Sequence, residues 1–161
     1  PLYAASVLGL GGFSIATAVA AMAISGLIVM TPGGIAGDRV GRRRVISTGL
    51  AVLAIGDLFF LLTGNFLSFF VVAAVVGCGD FFSSSQTALL SEIVPPEQRT
   101  WVLSGYRFSS DLGALIGPIL LAVIMDQYGV QAAIFAASAI LLVASFAARI
   151  GVPAHVDAVA V

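Results

Sequence analysis

The sequence has little charge and no lysine. Charged residues make up 9% of its 161 residues and hydrophobic residues 60%, and the mean hydropathy is +1.11. A soluble domain carries roughly 25% charged residues, so this composition excludes an ordinary soluble protein. The arginines have no interleaved aromatic residues, which together with the missing lysine argues against a nucleic-acid-binding surface.

Residues for redox, metal or nucleophilic chemistry are also scarce. Cys78 is the only cysteine, which excludes an internal disulfide, and His155 is the only histidine. The sequence has no metal-ligand cluster, nucleophile motif or phosphate-binding loop. We therefore expect no cofactor, no metal and no enzymatic activity.

Long uncharged stretches are what the sequence does contain. Residues 1–37, 58–79 and 127–148 carry no Asp, Glu, Lys, Arg or His, and each reaches the ~18 residues that signal a membrane span. The alternative for one such stretch is a buried helix of a large soluble protein. Glycine, proline and polar residues break the apolar pattern between stretches. The sequence predicts an all-α integral membrane protein with spans at about 13–36, 45–63, 66–92, 100–125 and 130–149.

All seven arginines fall in or beside loops on one side of these five predicted spans. Cytoplasmic loops of membrane proteins carry an excess of Lys and Arg. We therefore expect a cell-membrane protein with Pro1 outside and with residues 150–161 as a short cytoplasmic tail.

The most specific pattern lies between the first two predicted spans, where residues 34–44 place four arginines in a loop of about eight residues. Its form, Gly-x-x-x-Asp-Arg-x-Gly-Arg-Arg, resembles the signature loop of the major facilitator superfamily, which joins the second and third helices of each six-helix half of these transporters. We interpret the loop as a cytoplasmic latch that holds one conformation; the alternative is a basic loop that only sets topology. The latch residues are Gly34, Asp38, Arg39, Gly41, Arg42 and Arg43.

The resemblance covers nearly the whole chain and implies part of a transporter. Five spans look like one half without its first helix, so the missing half of the same transporter would be a partner. In the N-terminal half an arginine usually stands four residues before a Gly-x-Gly, but here Ala73 precedes Gly77-Cys78-Gly79. The resemblance therefore implies the C-terminal half, helices eight to twelve.

Asp80 carries the clearest chemistry of the third predicted span. It lies about 21 Å from one end and about 18 Å from the other, and an aspartate at that depth usually faces a partner or a water-filled cavity. By resemblance this span is the tenth helix, which lines the central cavity. Candidate residues for the cavity and for proton coupling are therefore Asp80, Ser84 and Thr87; the alternative is helix packing with a hydrogen-bonded Asp80.

Other candidates concern pairing and packing. Arg107 and Asp111 are four residues apart and can pair within the membrane. Asp57 is also intramembrane, but its span would match the peripheral ninth helix, where a structural hydrogen bond is at least as well supported as a role in transport.

Small residues and prolines mark further candidate packing and bend points. Gly113-x-x-x-Gly117, like Gly33-x-x-x-Gly37, predicts a close helix crossing. Pro32 and Pro118 remove hydrogen bonds from their helices and are candidate bend points. The stretch from Gly113 to Pro118 resembles part of an antiporter motif, but Leu121 and Ala122 replace its Gly-Gly pair, so antiport is not supported.

The resemblance implies secondary active transport of a small solute by alternating access within the lipid bilayer, with protons as a candidate coupling ion. A membrane sensor or assembly protein that keeps the transporter fold is the alternative.

The arginine distribution generates a topology prediction. In a Cys78→Ser background, a single cysteine at Asn65 should react with an impermeant thiol reagent in intact cells. A cysteine at Arg43 should react only after the membrane is permeabilised. The reverse labelling pattern would contradict the predicted orientation.

Overall fold

The computed structural model describes residues 2–151, without the side chains of Leu2, Ser83 and Ser84. Within this range the chain forms helices and no strand. The α-helices are α1 (Leu2–Ser6), α2 (Gly12–Val40), α3 (Arg42–Phe59), α4 (Phe66–Cys78), α5 (Ser83–Ile93), α6 (Arg99–Tyr128) and α7 (Val130–Gly151), with 3₁₀ turns at Phe60–Leu62, Gly79–Phe82 and Pro96–Gln98.

These elements confirm the predicted all-α membrane class. By length and composition, five segments of the described chain can cross a membrane: Gly12–Val40, Arg42–Leu62, Phe66–Ile93, Pro96–Tyr128 and Val130–Gly151. The predicted tail lies mostly outside the described residues, although α7 itself continues through Gly151.

The basic segment is more helical than the sequence predicted. The expected loop of about eight residues is reduced to Gly41, since α2 continues through Val40 and α3 begins at Arg42. Gly41 has a φ of 103°, in a region that other residues rarely adopt, and its N–H donates to the Gly37 carbonyl oxygen at 3.1 Å. One glycine thus reverses the chain, so the flanking charged residues stay helical.

The third span, in contrast, is less regularly helical than the sequence predicted. A continuous helix was expected over 66–92, but the 3₁₀ turn Gly79–Phe82 separates α4 from α5 near the middle of the span. At its start, the Asn65 side chain accepts a hydrogen bond from the Ser68 N–H at 2.9 Å, and Ser68 Oγ accepts from the Asn65 N–H at 3.2 Å. This reciprocal cap explains why Gly64-Asn65 suffices to separate two apolar helices.

Two apolar clusters join the helices at opposite ends of the bundle. Near the end that carries Arg42, which we call the arginine end, the cluster consists of Val45, Ile46, Phe82 and Leu89. Ser145 Oγ of α7 donates to the Ser47 carbonyl oxygen of α3 there, at 2.7 Å. Near the opposite end, the cluster consists of Ala4, Ala18, Phe69 and Ala73.

Glycines let α2 cross the third span in backbone contact. A Cβ at Gly77 would overlap the Met22 carbonyl oxygen, and a Cβ at Gly33 would overlap the Phe81 carbonyl oxygen. The Gly33-x-x-x-Gly37 spacing therefore marks a real crossing, since a Cβ at Gly37 would likewise overlap Ser85 Oγ. Small residues are what allow two helix backbones to approach this closely.

The close crossing predicted at Gly113 and Gly117 is not formed within the described chain. A Cβ built at either position meets nothing within 4 Å, and α6 has no buried residue. The reason is that the glycine face of α6 is not covered by any described helix. Pro32 and Pro118 lie inside α2 and α6, which continue through them, so their role as bend points stays a prediction.

The contrast between these glycines generates a stability prediction. Gly77→Ala or Gly33→Ala should lower the free energy of unfolding by about 1–3 kcal/mol, because a methyl group there forces the backbones apart. Gly113→Ala is the matched control and should leave it unchanged or slightly higher. Thermal unfolding in detergent measures all three, and equal effects would contradict the crossing.

Candidate functional site

An ion-pair cluster ties three helices together at the arginine end. Arg42 Nη2 lies 2.8 Å from Asp38 Oδ1 and 2.9 Å from Glu92 Oε1. Asp38 belongs to the last turn of α2, Arg42 to the first turn of α3 and Glu92 to the end of α5. The Arg42 side chain is only 17% exposed, so these charge-assisted contacts are shielded on one side and are stronger than open surface pairs.

The other predicted latch residues surround this cluster without joining it. Arg39 is exposed and Arg43 is half-buried, and neither forms an ion pair with any described residue. Gly34 is half-buried on α2, and Gly41 supplies the turn. Among the predicted latch arginines, Arg42 is therefore the one that forms ion pairs with described residues of other helices.

Glu92 is a member of this cluster that the sequence analysis missed. The available signal was its position, because it is an acidic residue at the arginine end of the third span. Arg42 Nη1 is buried and has no hydrogen-bond partner among the described residues. The guanidinium therefore has donor capacity beyond the two carboxylates.

Asp80 lies in the 3₁₀ turn that interrupts the third span. It follows Phe66 by fourteen residues and precedes Ile93 by thirteen, which places it about 20 Å from either end. Its side chain is next to α2, since a Cβ at Gly26 would lie 3.6 Å from both the Asp80 Cβ and Oδ2 atoms. The residue as a whole is exposed, so the carboxylate stands on an open face of the bundle at mid-span.

Polar groups from α5 and α6 lie near this face. Tyr106 Oη donates to Gln86 Oε1 at 2.6 Å, and Tyr106 is within electrostatic range of Asp80. Thr87 is exposed on α5, whereas the Ser84 side chain lies outside the described residues. Gln86 and Tyr106 were not among the predicted site residues, because nothing in their spacing reveals a contact between two helices.

The Arg107 and Asp111 side chains do not pair with each other. Both are exposed on α6, and the ion pairs formed among the described residues all involve Arg42. Helical spacing of four residues permits a pair but does not impose it, because two exposed side chains gain little from one.

The chemistry open to the mid-span face is narrow. Within residues 2–151 no group of three or more His, Cys, Asp or Glu side chains could hold a metal ion. One carboxylate beside an amide and a phenol can exchange a proton or bind a polar group of a solute.

Apolar antiparallel helices, a charged cluster at one end and a carboxylate at mid-span define a multi-pass membrane protein. The chain belongs to the Major Facilitator Superfamily, whose family model matches residues 1–158. This confirms the family expected from the signature loop.

Curated relatives agree with this assignment. The chain is 32% identical to Multidrug resistance protein MdtG of Citrobacter koseri over 111 residues, which are 69% of this chain and 27% of that protein. It is 30% identical to Multidrug resistance protein 2 of Bacillus subtilis over 141 residues, 86% of this chain and 35% of that protein. The chain thus spans about a third or less of the length of these relatives. No solved structure matches it.

The ion-pair geometry generates a prediction about Arg42. Arg42→Gln should lower the free energy of unfolding by about 1 kcal/mol or more, because it leaves Asp38 and Glu92 without their shared partner. Arg43→Gln is the matched control and should have little effect, since Arg43 makes no described ion pair.

A double-mutant cycle with Glu92→Gln isolates the contact between α3 and α5. The two substitutions should be less than additive in detergent unfolding. Full additivity would show that Arg42 and Glu92 do not interact.

Proposed function

We propose that the complete protein moves a small organic solute across the membrane by alternating access, and that this chain supplies most of one helical bundle. The family assignment supports this, because transporters of this family are built from two halves that rock about a site between them. The chain's share of its relatives, 27% and 35%, agrees with part of such a protein. The names of both relatives favour a drug-like solute.

Within this proposal the chain belongs to the C-terminal half, with the arginine end in the cytoplasm. The arginine distribution supports that orientation. The open face of α6, which has no buried residue, is where the other half of the transporter would pack.

The Arg42 cluster is the proposed latch. It joins α2, α3 and α5 at a single guanidinium, and its two carboxylates are substantially exposed, at 63% for Asp38 and 47% for Glu92. Partly solvated ion pairs are weak enough to break and re-form during a transport cycle. Opening at the arginine end would separate these partners.

Asp80 is the proposed proton-coupling residue, and its position is the observation that carries the function. Asp80 is a carboxylate at mid-span, on an open face and in a local break of the helix. It would therefore be accessible from whichever side of the membrane the central cavity of the transporter opens toward. Interrupted helices near the bilayer midplane are a recurrent feature of transporter binding sites, and 3₁₀ segments inside helices often mark hinges. Proton loading and release at Asp80 would link solute movement to the proton gradient.

Asp80→Asn tests the coupling in the full-length transporter. Asparagine keeps the shape and much of the hydrogen bonding but cannot titrate, so gradient-driven accumulation should fall by about tenfold or more while solute exchange without a gradient persists. Accumulation and exchange are measured in vesicles with an imposed pH difference.

Asp126→Asn is the charge-matched control, because Asp126 is exposed near the end of α6 opposite the arginine end. It should transport normally. Wild-type accumulation by the Asp80 variant would exclude Asp80 as the coupling site. Absence of any carrier-mediated flux in the wild type would favour the non-transporting sensor or assembly protein.

A further inference from the structure

A cavity of about 410 Å³ lies in the half of the bundle opposite the arginine end, and neither Asp80 nor the Arg42 cluster lines it. Residues of α2, α3, α4, α6 and α7 line it, together with Tyr3 of α1 and Phe60 of the 3₁₀ turn that follows α3. Its size falls in the range of small-molecule sites, roughly 300–1,000 Å³, which are mostly apolar with a few polar groups that orient the ligand.

Among the described residues that line this cavity, Asp57 is the only charged one. It is half-buried on α3, five residues before the span ends at Leu62, or about 8 Å below that end. No described residue forms a hydrogen bond or an ion pair with its carboxylate. The described arginines of α3, α6 and α7 belong to the arginine end, so none of them compensates this charge.

The rest of the lining suits an apolar, aromatic ligand. The rings of Phe60 and Phe69 lie 5.3 Å apart between centroids and are tilted by 45°. Tyr3 Oη donates to the Thr63 carbonyl oxygen at 3.2 Å, which holds the third ring in place. Aromatic faces attract organic cations, and Met22 and Met125 add side chains that adapt to irregular shapes.

The same lining excludes a bare inorganic cation. Calcium takes six to eight oxygen ligands and magnesium keeps an octahedral shell. Among the described lining side chains, the oxygen ligands are one carboxylate and one phenol whose hydrogen is already donated. A delocalised or quaternary charge is different, because it sheds little hydration and gains from both the aromatic faces and the carboxylate.

We propose that this cavity binds a lipophilic organic monocation, with Asp57 as its counter-ion and Phe60, Phe69 and Tyr3 as its aromatic wall. The site is distinct from the Asp80 face and does not depend on transport.

Tetraphenylphosphonium is the probe for this site, and tetraphenylborate is its counterpart of the same shape and opposite charge. Equilibrium binding to the purified full-length transporter in detergent, without a gradient, should be saturable for the cation. The borate should neither bind at the site nor compete. Asp57→Asn should weaken cation binding about tenfold or more, and Asp57→Glu should restore much of it.

A second variant tests the location without altering charge. Leu121→Trp places a large side chain in the cavity and should abolish the Asp57-dependent binding, with circular dichroism confirming that the helices are retained. Asp126→Asn is the control and should bind like wild type.

Three results would overturn the assignment. The first is absence of saturable binding, which would result if an apolar segment of the full-length protein filled the cavity. The second is cation binding that Asp57→Asn leaves unchanged. The third is equal affinity for the cation and the borate. Because the experiment measures binding at equilibrium, absence of cation binding would not contradict the transport proposal. Conversely, cation binding without carrier-mediated flux would support this cavity site and contradict the transport proposal.

Discussion

Backbone contact between α2 and the third span is the constraint on which the other features depend. A side chain larger than hydrogen at Gly33 or Gly77 would strike a carbonyl oxygen of the partner helix, so the two helices share one fixed crossing. That crossing puts Gly26 against Asp80 and Gly37 against Ser85. It also sets the distance between the end of α2 and the end of α5, which Arg42 then spans. In a bilayer such contact matters more than in water, because lipid removes the hydrophobic drive for helices to associate.

The charged residues differ in their surroundings along the bundle. The ion pairs among the described residues gather around Arg42 at one end, where water can solvate what the protein leaves unpaired. Asp57 and Asp80 instead lie within spans, and a carboxylate at that depth is expensive and tends to be functional. They differ in surroundings, since Asp80 stands on an open face near Gln86 and Tyr106 while Asp57 lines a mostly apolar cavity. Two chemically identical residues are thus suited to different tasks by what surrounds them.

Much of the fold was predictable because membrane spans can be recognised from their apolar composition. Uncharged stretches and punctuating glycines located all five spans to within a few residues, and the signature around Asp38 and Arg42 indicated the family. The sequence analysis did not predict that residues 34–44 are almost entirely helical, because a single glycine with a positive φ, Gly41, reverses the chain where a loop was expected. The 3₁₀ turn at Gly79–Phe82 was missed as well, since the residues there would also fit a regular helix. Helical spacing overstated the pairing of Arg107 with Asp111 and the crossing at Gly113, because spacing shows which residues share a face but not what covers it.

The sequence by itself determined the class of protein, the five candidate spans and the position of each carboxylate along its span, since these follow from hydropathy and from a fixed rise per residue. Only the tertiary structure decided which residues act together. Glu92 joined Arg42, Tyr106 joined Gln86, and Asp57 came to line a cavity with Tyr3 and Met125, although these partners are distant in the chain. Such contacts depend on how helices cross and rotate, and that is decided by the close packing of glycine faces, which local periodicity cannot specify.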